Sequence, residues 1–313
     1  MNPNDHMKPS DHMTPGEIAM LELSTGPFTA RIVPEIGGIV TGLEWRAPDG
    51  KRHKLLHAPN GAVPTTAHSN MFGTWLMVPF ANRAFDCLID DGERAFTVPA
   101  NDRSGNIHGF GRQSAWTVLG MTQGHTVLEH RRTEGPDPYR YRATQDITLD
   151  DAGMTITMAV TNEADTALPY GIGHHPWFPC APDTRLGMTA AGALVFGEAF
   201  RATGSALFSD GGPYADKPVF AREHETAWSL LGWNGVARIE TPSTGLAITL
   251  TASENFSFPV VWAPLGADFL CVEPQSHAIG SPSEAAARAV SPLTRLQPGE
   301  TLEGWLRIVP ETL

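Results

Sequence analysis

Cysteine is scarce: Cys87, Cys180 and Cys271 are the only three in 313 residues. An odd number of widely spaced thiols excludes a disulfide framework and fits a reducing compartment. Basic residues are also few, 22 Lys and Arg against 34 Asp and Glu, for a formal charge of −12. That balance argues against a nucleic-acid partner, which would need a basic face. An anionic substrate stays open, because a few local arginines could serve it. No apolar run is long enough to span a bilayer. The opening stretch MNPNDHMKPSDHMTPGE has no apolar core, so it does not read as a signal peptide; residues 1–15 read as a flexible tail. There is no His-Glu-x-x-His, Cys-x-x-Cys, P-loop, strand-borne Gly-x-Gly-x-x-Gly or Gly-x-Ser-x-Gly. Neither a metal, a nucleotide nor a serine triad is signalled. A cytoplasmic protein, monomeric or homodimeric and with no membrane partner, is the expectation.

What is present is strand-forming alternation. In residues 153–162, Met154, Ile156, Met158 and Val160 point one way and the threonines and Ala159 the other. Residues 125–132, 139–149, 245–253 and 301–310 repeat the pattern, separated by turn signals at 150–153, 241–245 and 297–299. The best helix candidate, Ser283 to Val290, is short and offers a serine as its cap. With 31 Gly and 26 Pro and 41% hydrophobic residues, the chain has turns and core enough for one large β domain. We expect residues 16–313 to form a mostly antiparallel all-β domain of stacked sheets with few short helices.

Four stretches carry candidate chemistry. In residues 171–179, GIGHHPWFP, His175 precedes Pro176 and Phe178 precedes Pro179, so both are pushed towards extended backbone, and the prolines exclude a central helix. Neighbouring side chains on an extended segment face opposite ways. One of His174 and His175 should therefore line a cavity while the other packs. Ordinary burial statistics favour satisfied core histidines for both, though the flanking aromatics suit a sugar-stacking pocket. GNIHGFGRQSAW (105–116) sets His108 and Arg112 in a glycine-rich loop that could approach a ligand or simply turn between strands. Asn82 and Arg83 interrupt an apolar run, so Arg83 either pairs internally or faces a cleft. In DFLCVEPQSH (268–277), Phe269, Cys271 and Glu273 share one strand face and Leu270 and Val272 the other. A carboxylate ending an apolar strand is either paired or functional. Cys271 reads as a small apolar filler rather than a nucleophile.

Taken in order, these pieces resemble the aldose 1-epimerase (galactose mutarotase) family from about residue 22 to the C-terminus. The resemblance is carried by Pro79-Phe-Ala-Asn-Arg83, Ile107-His108-Gly109, Asn162 with Gly173-His-His-Pro-Trp-Phe178, Cys271-Val-Glu-Pro274 and Leu296-Gln-Pro-Gly-Glu300. It implies a galactose mutarotase-like β-supersandwich that works without a cofactor or metal on a small-molecule sugar. It places the general acid on His175, the general base on Glu273, and substrate contacts on Asn82, Arg83 and His108. The implied reaction is ring opening and reclosure of a pyranose, exchanging its α and β anomers. Two segments depart from the family pattern. The sugar-binding Asp has only Glu225 as a loose counterpart, and residues 281–287 do not match the usual sequence.

Three other readings compete. An enzyme of the same fold acting on a hexose 6-phosphate would need arginines clustered near C6 of the sugar, with Arg112, Arg140 and Arg142 available. A non-catalytic carbohydrate-binding sandwich could use the eight Trp and 14 Phe for stacking, but has no need of an acid–base pair. A cupin-like metal barrel lacks ligand spacing.

Overall fold

The structure, a computed structural model, describes residues 19–59, 64 and 72–313. The expected tail, residues 1–15, lies outside them. Antiparallel sheets dominate, as the alternation implied. The largest has eight strands, in the order Thr117–Met121, His125–Arg132, Tyr141–Leu149, Met154–Asn162, Thr301–Thr312, Leu246–Ala252, Val236–Thr241 and Arg185–Met188. Its inner face is written by period-two patterning: every second residue of Met154–Asn162 is buried and the rest are half-exposed. Turn chemistry closes the hairpins. The Asp150 carboxylate accepts the Ala152 and Gly153 N–H groups, and Gly245 takes φ 69° after the one-turn helix Pro242–Thr244.

A six-stranded sheet runs Trp177–Pro179, Phe269–Glu273, Val260–Ala263, Thr226–Leu231, Gly192–Phe196 and Ala202–Leu207. A four-stranded sheet comprises Leu21–Thr25, Phe28–Val33, Ile39–Arg46 and Arg52–Lys54. The main core joins all three. Ile147, Ile156, Leu250 and Leu306 of the largest sheet pack in one cluster with Leu270, Val272 and Phe178 of the second and Leu23 and Ile32 of the third. Each fully buried Leu, Ile or Phe there contributes about 1.5–3 kcal/mol.

Phe269–Glu273 shows how the core positions the site. Leu270 and Val272 enter the main core, whereas Phe269 and Cys271 lie on the opposite face with Trp177. Glu273 therefore emerges on the face away from the main core, against the short strands of residues 76–107. The only α-helix among the described residues is Ala285–Arg288. It is shorter than the expected 283–290, and Ser283 does not cap it. The Ser283 hydroxyl oxygen instead accepts the Phe85 N–H at 3.0 Å, so tertiary pairing has claimed the capping side chain.

Candidate active site

The doubled histidine is split by extended backbone. Gly173–His174 pairs with Leu76–Met77, and Trp177–Pro179 pairs with Phe269–Glu273. His174 points into the core, where Nδ1 meets the Thr74 hydroxyl and Nε2 lies 3.0 Å from Gln145 Oε1. Because the Gln145 amide donates to Gly38 O, its oxygen faces the ring, and His174 is the Nε2–H tautomer. Both ring nitrogens are satisfied, and burial pulls the pKa down to about 3. His174 is a neutral structural residue.

His175 faces the other way. Its ring stacks against Trp75 at 4.8 Å and Trp177 at 5.4 Å between centroids. Nε2 lies 3.3 Å from Glu273 Oε1, while Nδ1 has no partner. Both side chains are more than nine-tenths buried. Burial pushes the Glu273 carboxyl up to about 8, although a hydrogen bond from the Gln275 amide at 2.9 Å opposes this. Burial, helped by the Arg112 charge, lowers His175 to about 3. At neutral pH the pair therefore holds one titratable proton and no net charge. That state and the imidazolium–carboxylate ion pair differ only by proton transfer within the contact.

The opposite wall comes from the loops around residues 75–83 and 101–113. Asn82 and His108 both have positive φ, 54° and 64°. They are locked together: the Asn82 N–H donates to His108 Nδ1 at 3.0 Å, and the His108 N–H donates to Asn82 O at 2.8 Å. Since Nδ1 accepts, the His108 proton is on Nε2, and burial keeps the ring neutral. Such strained, cross-braced loops are characteristic of ligand-binding walls. Arg83 does both things expected of it. It faces the cleft and donates to Asp102 at 3.2 Å and Ser104 at 2.7 Å. Glu225 also reaches the cleft, accepting the Trp262 indole N–H at 3.2 Å.

His175, Glu273, Asn82, Arg83 and His108 thus line one cleft of about 550 Å³. Arg112 joins them, but Arg140 and Arg142 do not. Arg140 is spent on the backbone carbonyls of Asp137 and Tyr139, and Arg142 lies 3.9 Å from Glu163. Sequence reasoning assigned no role to Trp75 or Gln275. The period-two step from Cys271 through Glu273 to Gln275 was the available signal for Gln275; Trp75 had none. A second cavity of about 530 Å³ lies beside Lys51, His53 and His57. Its carboxylate, Asp268, is largely exposed and 4.0 Å from His57, so it offers no buried acid–base pair.

One cluster of side-chain donors could in principle face a metal ion. His175, Cys271 and Glu273 each bring one donor atom within 4.8 Å of the others. A structural zinc site takes four donors in a tetrahedron, and this group brings only three, with Glu273 Oε1 already 3.3 Å from His175 Nε2 and Oε2 accepting from Gln275. The set is a poor fit.

The family model for aldose 1-epimerase matches residues 20–309. The chain belongs to the aldose 1-epimerase family. It is 30% identical over 281 residues to the uncharacterized protein YphB of Escherichia coli K12, covering 86% of this chain and 91% of that one. Among solved structures it resembles a provisionally named aldose 1-epimerase of E. coli K12, with TM-score 0.81, 26% identity and coverage of 94% and 99%. A galactose mutarotase-like protein of Clostridium acetobutylicum shares the fold, with TM-score 0.82 at 22% identity and coverage of 99% and 100%. The fold is thus the galactose mutarotase-like β-architecture. Among the described residues no helix is long and apolar enough to cross a membrane.

Proposed function

We propose that this aldose 1-epimerase family member interconverts the α and β anomers of a free aldose by acid–base ring opening. The observation that carries the reading is the buried contact between His175 Nε2 and Glu273 Oε1 at 3.3 Å in a sugar-sized cleft. The reaction must move protons on two oxygens bonded to one carbon, and two proton-transfer groups in contact suit that spacing. From the imidazolium–carboxylate form of the pair, Glu273 takes the proton of the C1 hydroxyl while His175 gives one to the ring oxygen. The bond from C1 to the ring oxygen breaks, leaving an aldehyde and a C5 hydroxyl. Rotation about C1–C2 presents the other face of the aldehyde; reclosure returns the proton to His175 and the Glu273 proton to the new C1 hydroxyl. The pair ends as it began, so no cofactor is consumed. Asn82, Arg83 and His108 hold the sugar hydroxyls, the neutral His108 donating from Nε2. Proton transfer contributes about 10²–10⁴-fold and fixed orientation the rest.

A hexose 6-phosphate is less well served, because the guanidiniums of Arg140 and Arg142 are committed outside the cleft. A passive binding module has no use for a buried proton pair. A reducing compartment such as the cytoplasm fits this reading, because Cys87, Cys180 and Cys271 are all free. Polarimetry or NMR exchange on α-D-glucose and α-D-galactose tests the proposal. Wild type is expected to accelerate anomer exchange, and His175→Ala and Glu273→Gln to lose nearly all of it. Failure of wild type on neutral aldoses, acidic aldoses and their 6-phosphates alike would sink it.

A further inference from the structure

Arg112 is the least compensated charge in the cleft. The short 3-10 turn Gly111–Gln113 carries it inward, and Trp116 braces that turn by donating its indole N–H to Gly111 O at 2.9 Å. The residue is only 5% exposed, yet its Nε is buried with no partner, and its guanidinium has no hydrogen-bond acceptor among the described residues. What it touches is the Trp75 ring, 5.8 Å from guanidinium carbon to centroid. The Asp102 carboxylate acts on it only through space and is itself bound by Arg83 and Ser104. Burial without a counter-charge in contact is unfavourable for a cation and pulls Arg112 down to about 10, a cost that an anion in the cleft would offset.

The cleft supplies no such anion at that place, and a substrate can. We propose that the sugar bound here carries a carboxylate on C5, and that Arg112 is the residue that recognises it: the substrate class is a free hexuronic acid. The inference rests on the acid–base assignment above, because that assignment orients the ring. Glu273 serves the C1 hydroxyl and His175 the ring oxygen, so C5 and its substituent extend from the His175 end of the pair. Arg112 lies at that end. Its guanidinium carbon lies 5.8 Å from the centroid of the Trp75 ring, and that ring stacks on His175 at 4.8 Å.

The charge count selects a carboxylate. One guanidinium is free, Arg83 being engaged by Asp102, so the site compensates a single negative charge. A phosphate monoester near neutral pH is close to a dianion and would ask for a second cation. A carboxylate also matches the planar guanidinium fork in two parallel hydrogen bonds.

Anomer exchange rates for D-glucuronate and D-galacturonate, set against D-glucose, D-galactose and D-glucose 6-phosphate, test this directly on wild type. A charge-assisted contact made to one substrate and not the other predicts a kcat/KM preference for the uronates of about 10- to 100-fold. Arg112→Gln should collapse that uronate-to-hexose ratio towards one, with Arg112→Lys retaining part of it; a thermal melt of each variant separates misfolding from lost recognition. Neutral hexoses exchanged as fast as uronates by wild type would overturn the proposal while leaving the epimerase reading intact. A clear preference for the 6-phosphate, or a ratio unmoved by Arg112→Gln, would overturn it equally. Acceleration of no sugar would remove the epimerase reading itself.

Discussion

His174 and His175 are adjacent, both buried and both held neutral by burial, yet they differ in what their ring nitrogens meet. His174 has a partner on each ring nitrogen. His175 has an unpartnered nitrogen on one side, a carboxyl group on the other, and two tryptophans against its faces. The same contrast extends around them. On the His174 side lie the regular ladders of the eight-stranded sheet, with every second residue in the core. On the His175 side lie short strands, positive-φ residues at Asn82 and His108, and an orphaned Arg112. Buried unpartnered atoms occur in the large sheet too, at His130 and Tyr141, but those of His175 and Arg112 belong to residues that line the cleft, where a ligand can reach them.

The largest expected break in this comparison is catalytic. His175→Ala should lower kcat/KM for anomer exchange about 10²–10⁴-fold, whereas His174→Ala should retain most activity in whatever protein folds. The reverse outcome would show that the faces are assigned the wrong way round.

The pH profile of kcat/KM should sharpen the same contrast. The pair works with one proton between its members, so the proton is lost, and with it the acid, as pH rises through about 8. Activity should then fall about tenfold per unit. Below about 3 a second proton arrives on the pair and the base is lost. A plateau persisting well above pH 8 would contradict the shared-proton description.

Stability should show the opposite ranking. His174→Ala leaves the Thr74 hydroxyl and Gln145 carbonyl unpaired inside a cavity, a loss of about 2–4 kcal/mol in denaturant unfolding. Glu273→Gln should instead stabilise, by about 1–2 kcal/mol. The sign follows from the raised pKa. Glu273 keeps its proton in the folded state up to about 8 but loses it near 4.5 when unfolded, so wild type loses stability across that interval. The advantage of the glutamine should be absent below pH 4.5 and complete above 8. The smallest effect is expected at Cys271→Ala, under about 1.5 kcal/mol, if the thiol is only a filler.

Alternation made the long strands readable in advance, because one buried face imposes period two on Met154–Asn162 and Thr301–Thr312 wherever they pair. The segments that build the cleft were less readable. Leu76–Met77 is two residues long and exists only because Gly173–His174 lies beside it. No local pattern announces a strand whose hydrogen-bond partner is nearly a hundred residues away. Ser283 is the instructive miss: it has the right chemistry for a helix cap, but Phe85 offered it a different donor.

By itself, then, the sequence determined that His174 and His175 must part company, since a residue before proline is held extended and extended neighbours face apart. It also determined that Glu273 shares a face with Cys271 and ends an apolar strand. Family resemblance joined His175 to Glu273 in role. Only the tertiary structure decided that they touch, because sheet pairing of Trp177–Pro179 with Phe269–Glu273 sets that distance. It alone decided which arginine is left without a counter-charge. Arg83, Arg112, Arg140 and Arg142 are chemically alike in the sequence, and what distinguishes them is which acceptors the fold brings within reach.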